Sequence, residues 1–257
     1  MDIKLIICDL DGTLLRGDKT VSAYTLDVLH RCRAAGIKLG IATARSRHGA
    51  RVFTDLMAPD VLIYDGGAVA TIGDEVVFRR TIDAQTAAAL SQRIAQSADY
   101  TAAECDGAYF YSGESPTPYA QEIVAHGHMV VATDFAEALP ANAHKISGFM
   151  RDFDADTILK DFQDIGMTRY HGENLVRFAH VSATKWQALT AVVAHFDLNP
   201  SQIAAFGDDY NDVEMLANVG IGVAMENAIA KAKAAAKHIC GDNNSDGVAR
   251  WIEENIL

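Results

Sequence analysis

The sequence predicts an α/β protein: a doubly wound parallel sheet interrupted by an inserted α+β unit. Three observations carry this. Apolar runs of strand length alternate with helical patterns from the N-terminal end to about Gly67. Between about Thr81 and Ala179 the strands become shorter and richer in aromatic and polar residues. From Lys185 onward the first rhythm resumes. A chain of 257 residues, 49% hydrophobic and 22% charged, is long enough for one large domain or for a core plus an insert.

The elements follow in order. "KLIIC" is a continuous apolar run, the pattern of a strand covered on both faces. In "SAYTLDVLHRCRAAG", Ser22 reads as the N-cap, Leu26 and Leu29 share a face, and Gly36 closes the helix. "IKLGIAT", a helix from about Arg47 to Met57, and "DVLIYDGG" complete a β-α-β-α-β run, which demands parallel strands. "VATIGDEVVFRR" reads as a hairpin turning at Gly73-Asp74. Within the insert, "DAQTAAALSQRIAQ", "PTPYAQEIVAHG" and "DADTILKDFQDIG" read as helices, and "AYFYS", "HKISGFM" and "LVRFA" as strands. The last part reads helix "TKWQALTAVVAHFDL", strand "QIAAFGDD", helix "NDVEMLANV", strand "GIGVAM", helix "NAIAKAKAAAKH", short strand "HIC" and helix "SDGVARWIEENI". The expected division is a core of residues 1–80 and 182–257 around an insert of residues 81–181.

Composition narrows the function. A net charge of −12 argues against a nucleic-acid partner, since phosphate backbones require a basic face. No apolar run approaches the roughly 20 residues of a membrane span. The N-terminal "MDIKLIICDLDG" lacks a basic region and a small-residue cleavage site, so no signal peptide is expected. Cys8, Cys32, Cys105 and Cys240 are scattered without zinc spacing and read as buried free thiols in a reducing, cytoplasmic setting. Monomer is the default expectation.

The chemistry gathers at strand ends. "LIICDLDGT" delivers Asp9 and Asp11, at i and i+2, to the carboxyl end of the first strand, where open parallel sheets bind ligands. Gly12 then permits a tight turn. Paired carboxylates resist joint ionisation unless a cation joins them, and Mg²⁺ is the usual hard ion beside phosphate. "AAFGDDYND" ends a second strand in Asp208 and Asp209, followed by Asn211 and Asp212. The two acidic tips converge if their strands are neighbours. "GIATAR" ends a third strand with Thr43, Ala44 and Arg45, offering a hydroxyl and turn amides to an anion. Lys185 opens the helix after the insert, and its ammonium would neutralise part of the acid cluster.

These motifs, in this order, resemble the haloacid dehalogenase (HAD) superfamily of phosphohydrolases. "CDLDGT" is similar to the first motif, "IATAR" to the second, Lys185 to the third and "GDDYNDVEM" to the fourth; "NNSDGVARWIEE" resembles the C-terminal run of the Cof-type subfamily. The resemblance implies a Rossmann-like HAD core with an inserted C2B-type cap. It implies Asp9 as nucleophile, forming an aspartyl-phosphate, and Asp11 as general acid and then base. It implies Mg²⁺ held by Asp9, the main-chain carbonyl of Asp11 and Asp208, with Asp209 or Asp212 orienting the metal's shell. Thr43 and Lys185 would grip the transferring phosphoryl group. Because Asp11 would serve both half-reactions, its pKa is expected near the working pH.

The chain departs from the subfamily's pattern at Ala44, at Trp186 and at Asp65-Gly66-Gly67. The Asp65 carboxylate would either add negative charge near the anion site or close an Asx-type turn. Tyr109, Tyr111, His144, Lys145, Arg169, His171 and Arg177 are the insert's candidates for substrate selection. The expected substrate is a small phosphomonoester: a sugar phosphate, a nucleotide or a phosphorylated cofactor. Alternatives are a phosphomutase of the phosphomannomutase type and a non-catalytic phosphometabolite-binding protein. Asp9, Asp11, Lys185 and Asp208 together argue against a pure binder, which needs no nucleophile beside an acid.

Overall fold

Buried apolar strands and the crossover rule set the architecture. The computed structural model describes residues 2–114, 129–150, 155–170 and 174–257. In chain order its strands are β1 (Leu5–Cys8), β2 (Lys38–Ala42), β3 (Val61–Tyr64), β4 (Val69–Ile72), β5 (Glu75–Arg79), β6 (Tyr100–Cys105) and β7 (Ala108–Gly113). They continue with β8 (Met129–Ala132), β9 (Ala143–Phe149), β10 (Ile165–Arg169), β11 (Leu175–His180), β12 (Ile203–Gly207), β13 (Ile221–Ala224) and β14 (His238–Ile239). Two units emerge: residues 1–45, 50–79 and 184–257 form one, and residues 46–49 with 80–183 form the other.

The first unit is built on an eight-stranded sheet in the order β14-β13-β12-β1-β2-β3-β4-β5. Leu5, Ile6, Ile7 and Cys8 are all buried, as the unbroken apolar run requires. β1 pairs in parallel with both β2 and β12, Cys8 lying opposite Ile41 and Phe206. Strand order therefore reverses at β1, and the crevice for a ligand opens beyond its carboxyl end. This register carries Asp9, Thr43 and Asp208 out of the sheet at nearly the same level. β4 and β5 are antiparallel additions, joined by the expected turn at Gly73. The sheet is thus mixed, with a parallel portion of six strands.

Helix ends follow local chemistry. Ser22 accepts from the Thr25 amide at 2.9 Å and starts helix Ala23–Ala34. Thr184 accepts from the Gln187 amide at 3.1 Å and starts helix Lys185–His195. The second helix spans only Arg51–Met57, shorter than its pattern suggested, because residues 47–50 form turns.

The second unit holds a six-stranded sheet in the order β10-β11-β9-β6-β7-β8, antiparallel apart from β7 and β8. One face packs Ala103, Phe110, Ile146 and Phe178 into an apolar core with Leu90 and Ile94 of helix Ala84–Ala95. Alternate residues carry the other face. Glu104 lies opposite Tyr109 and Lys145, and Arg177 opposite Ser147, so these polar side chains share it with Tyr100 and Tyr111. His144 instead occupies the bulge between the Lys145 and Ala143 pairings and approaches Asp106 at 3.2 Å, while Arg169 is exposed on the edge strand. Among the described residues, "DADTILKDFQDIG" is a helix over Ala155–Leu159; turns follow, and Ile165–Gly166 already belong to β10. His171 and the helix expected over 116–127 lie outside the described residues.

All four cysteines are buried and free, and burial pushes Cys32 to about 11 and Cys240 to about 12. Among the described residues, no helix is long and apolar enough to cross a membrane.

Two glycines with positive φ separate conformational strain from crowding. Gly67 (φ +99) would place a Cβ 2.1 Å from the Thr184 carbonyl carbon, whereas a Cβ at Gly73 (φ +56) meets nothing within 4 Å. Gly67→Ala is expected to lose about 3 kcal/mol of unfolding free energy and Gly73→Ala about 1 kcal/mol, measured by urea titration.

Candidate active site

β1 and β12 are neighbours, so the two acidic tips meet. One carboxylate oxygen from each of Asp9, Asp208 and Asp212 lies within 4.8 Å of the others. The fully buried Lys185 ammonium donates to Asp9 Oδ1 at 2.8 Å and to Asp212 Oδ1 at 2.7 Å. Asp212 Oδ2 accepts the amides of Asp208 (3.0 Å) and Asp209 (3.1 Å), so both its oxygens are engaged in shaping the loop. Asp209 caps that loop through the Tyr210 amide at 2.8 Å. Of the two residues left open for orienting the metal's shell, Asp212 is therefore the one tied to the cluster. Thr13 donates its hydroxyl to Asp208 Oδ1 at 2.8 Å.

Small residues make this approach feasible. A Cβ at Gly12 (φ +77) would stand 2.3 Å from Asp208 Oδ2, and one at Gly207 would stand 2.4 Å from Asp212 Cγ. A larger residue at Gly12 would push the two strand tips apart, and one at Gly207 would push Asp212 off the end of its own strand.

The electrostatics point to a missing positive charge. Burial drives the Asp9 pKa well above its ordinary value, against the opposing pull of Lys185; Asp212 and Asp208 add to the rise. Burial, followed by the Asp212 charge, lifts Asp208 from 3.8 to about 7. Burial alone would strip the proton from Lys185, but Asp212 and Asp9 outweigh it and raise its pKa. Three carboxylates thus face one ammonium. Asn211, beside Asp212, buries its side-chain oxygen without a hydrogen-bond partner among the described residues. A divalent cation with oxygen ligands fits this donor set.

Asp11 points elsewhere. Arg45 grips it with Nε to Oδ2 at 2.6 Å and Nη2 to Oδ1 at 2.8 Å, and Lys19 Nζ adds a contact to Oδ1 at 2.7 Å. Burial works against ionisation, yet the Arg45 and Lys19 charges prevail and hold the carboxyl at about 2. A pKa near the working pH is therefore not what this arrangement gives. To deliver a proton, Asp11 must first be released by both cations. Arg45 also lies over the Phe53 ring, 5.0 Å from its centroid.

Thr43 is buried, and its hydroxyl accepts the Arg45 amide at 3.1 Å; Ala44, half-buried, lies in the turn between them. Asp65 adopts the left-handed region (φ 52) and is buried, its amide donating to the Arg45 carbonyl at 2.8 Å, while Gly66 donates to the Thr43 carbonyl at 2.9 Å. The Asp65 turn therefore braces the second motif. Sequence reasoning quoted Thr13 without assigning it a role and passed over Lys19 and Asn227. Asn227 donates from Nδ2 to the Gly12 carbonyl at 2.7 Å.

A switch-point crevice lined by strand-tip carboxylates, with a lysine delivered from beyond an insert, defines a class of α/β hydrolase. The chain belongs to the haloacid dehalogenase-like hydrolases, whose family model matches residues 6–252. It is 27% identical over 289 residues to pyridoxal phosphate phosphatase YbhA of Escherichia coli, spanning 100% of both chains. It is 25% identical over 280 residues to 5-amino-6-(5-phospho-D-ribitylamino)uracil phosphatase YwtE of Bacillus subtilis, spanning 98% of each. A sugar phosphatase of HAD subclass IIB shares the fold with a TM-score of 0.84 at 22% identity over 98% of both chains.

The raised Asp208 pKa has a signed consequence. A carboxyl raised on folding adds stability below 3.8 that is lost as pH climbs through about 7. In EDTA, thermal unfolding of the wild-type protein should therefore fall in midpoint between pH 4 and pH 8. Asp208→Asn should be more stable than wild type at pH 8 and indistinguishable from it at pH 4.

Proposed function

We propose that this hydrolase is a Mg²⁺-dependent phosphatase of small phosphomonoesters working through an aspartyl-phosphate. The observation that carries the reading is the Asp9 carboxylate. Lys185 holds its Oδ1 at 2.8 Å, and Oδ2 has no protein partner among the described residues. One oxygen is anchored and the other is available for attack.

In the proposed reaction Asp9 attacks phosphorus as the bond to the leaving oxygen breaks, and Asp11 gives that oxygen its proton. Asp11 then takes a proton from water as the water oxygen attacks phosphorus and the bond to Asp9 breaks. Lys185 and the Thr43 hydroxyl hold the phosphoryl oxygens through both steps. Mg²⁺, held by Asp9, Asp208 and the Asp11 main-chain carbonyl, would neutralise charge on the phosphoryl group. Arg45 and Lys19 keep Asp11 aside until substrate arrives. The second sheet face of the insert, with Tyr109, Tyr111, Lys145 and Arg177, is the proposed source of selectivity.

The phosphorylated metabolites named for the relatives support a small phosphomonoester, and the net charge of −12 supports a substrate other than nucleic acid.

A panel of sugar phosphates, nucleotides and pyridoxal phosphate, assayed for inorganic phosphate with Mg²⁺ and with EDTA, tests the reading. Metal-dependent release is expected. Isomerised sugar phosphate formed with a bisphosphate requirement and no free phosphate would identify a mutase instead. Asp9→Asn should lower turnover by about 10³-fold or more while retaining the fold by circular dichroism; near-normal turnover would remove Asp9 as nucleophile.

A further inference from the structure

The C-terminal run "NNSDGVARWIEE" has no role in the chemistry above, yet it grips the loop that carries it. The segment after β1 bends on few bonds of its own, among them the Leu15 amide to the Leu10 carbonyl at 2.8 Å. Two of its carbonyls are taken from outside. Asn227 Nδ2 donates to the Gly12 carbonyl at 2.7 Å, and Asn243 Nδ2 donates to the Leu15 carbonyl at 2.7 Å. Asn244 Oδ1 accepts the Gly17 amide at 2.9 Å, and Asp246 takes the Arg16 guanidinium at 2.8 Å and the Thr25 hydroxyl at 3.2 Å.

The two asparagines that hold carbonyls are linked. The Asn243 amide donates to Asn227 Oδ1 at 3.1 Å. A main-chain N–H only donates and the Gly12 carbonyl only accepts, so these two contacts fix which end of the Asn227 amide faces which partner. Asn227 is in turn placed by the residue that holds Leu15.

What the clamp controls is the position of Gly12. That residue packs its Cα against Asp208, where any Cβ would stand 2.3 Å from Oδ2, and the next residue, Thr13, donates to Asp208 Oδ1 at 2.8 Å. The Gly12–Thr13 peptide is thus fastened to Asn227 on its carbonyl side and to Asp208 through Thr13. If it rotated, Asp208 would lose its donor and its backing together. We infer that Asn227 and Asn243 are positioning residues for the metal site, acting through the Gly12–Leu15 segment on Asp208 rather than touching metal or substrate. The inference rests on the proposed metal site of this hydrolase. Residues that orient metal ligands typically change affinity by about 10–100-fold when removed.

Mn²⁺ titration followed by the electron paramagnetic resonance signal of the free ion tests this without turnover. The variants are Asn227→Ala and Asn243→Ala, so that one remains if the other fails to fold. The control is Asn218→Ala, which removes a comparable side-chain bond, to the Glu214 carbonyl at 2.7 Å, made within its own helix. The Mn²⁺ dissociation constant should rise about tenfold in Asn227→Ala and about threefold in Asn243→Ala, and stay unchanged in Asn218→Ala. In phosphatase assays the concentration of Mg²⁺ for half-maximal rate should rise by the same factors, with kcat at saturating Mg²⁺ within about twofold of wild type. A merely structural role would lower kcat and leave metal affinity alone. Unchanged Mn²⁺ affinity in both variants, or an equal loss in the control, overturns this inference and leaves the phosphatase reading standing. No Mn²⁺ binding by the wild-type protein overturns both.

Discussion

The Lys185 ammonium, fully buried between Asp9 and Asp212, is the interaction on which the rest of the structure depends. A lone ammonium at that depth would lose its proton. Asp212 and Asp9 keep the Lys185 ammonium protonated against its burial, and breaking such a buried pair by deleting one partner typically costs about 3–5 kcal/mol. The three groups come from three distant stretches: the end of β1, the loop after β12 and the first turn beyond the insert. Their convergence ties both ends of the chain to one point.

The surrounding backbone is arranged to keep that point narrow. Gly67 lets the turn after β3 lie directly against Thr184, whose hydroxyl starts the helix that carries Lys185. Gly207 lets Asp212 fold back over the end of its own strand, and Gly12 lets the first loop press on Asp208. Charge compensation inside the cluster is nevertheless incomplete, because Asp208 remains raised to about 7. The same deficit fits the cluster to a divalent cation with oxygen ligands. Arg45 and Lys19 handle the remaining carboxylate, Asp11, by a different device: they satisfy it at the rim and keep its charge out of the cluster.

Much of this was legible because strand tips obey simple rules. Continuous apolar runs ending in Asp9 and Asp208 announced buried parallel strands with carboxylates at their ligand-binding ends, and the register of β1 with β12 brings them together. Ser22, Gly73 and the hairpin were equally readable, since each is a local matter of capping or turn chemistry. The misses have physical causes. β6, "YTAAEC", is buried on both faces, and its small residues carry no period-two signal; β8 and β10 are short edge strands. The Asp11–Arg45–Lys19 arrangement and the Asn227 contact are side-chain meetings across loops, which residue spacing does not encode. Gly67 was noted as a departure from the subfamily, but its need for close backbone approach appears only in three dimensions.

The covalent bond proposed between the Asp9 carboxylate and phosphorus can be read directly. The protein is mixed with Mg²⁺ and a phosphomonoester that it turns over, quenched in acid within one turnover and reduced with borohydride. Wild type and Asp11→Asn are then compared by peptide mass spectrometry. The account predicts that the peptide containing residue 9 carries homoserine in place of aspartate, most abundantly in Asp11→Asn, where the second half-reaction is slowed. Steady phosphate release with residue 9 unreduced, or with the label on another side chain, would contradict it.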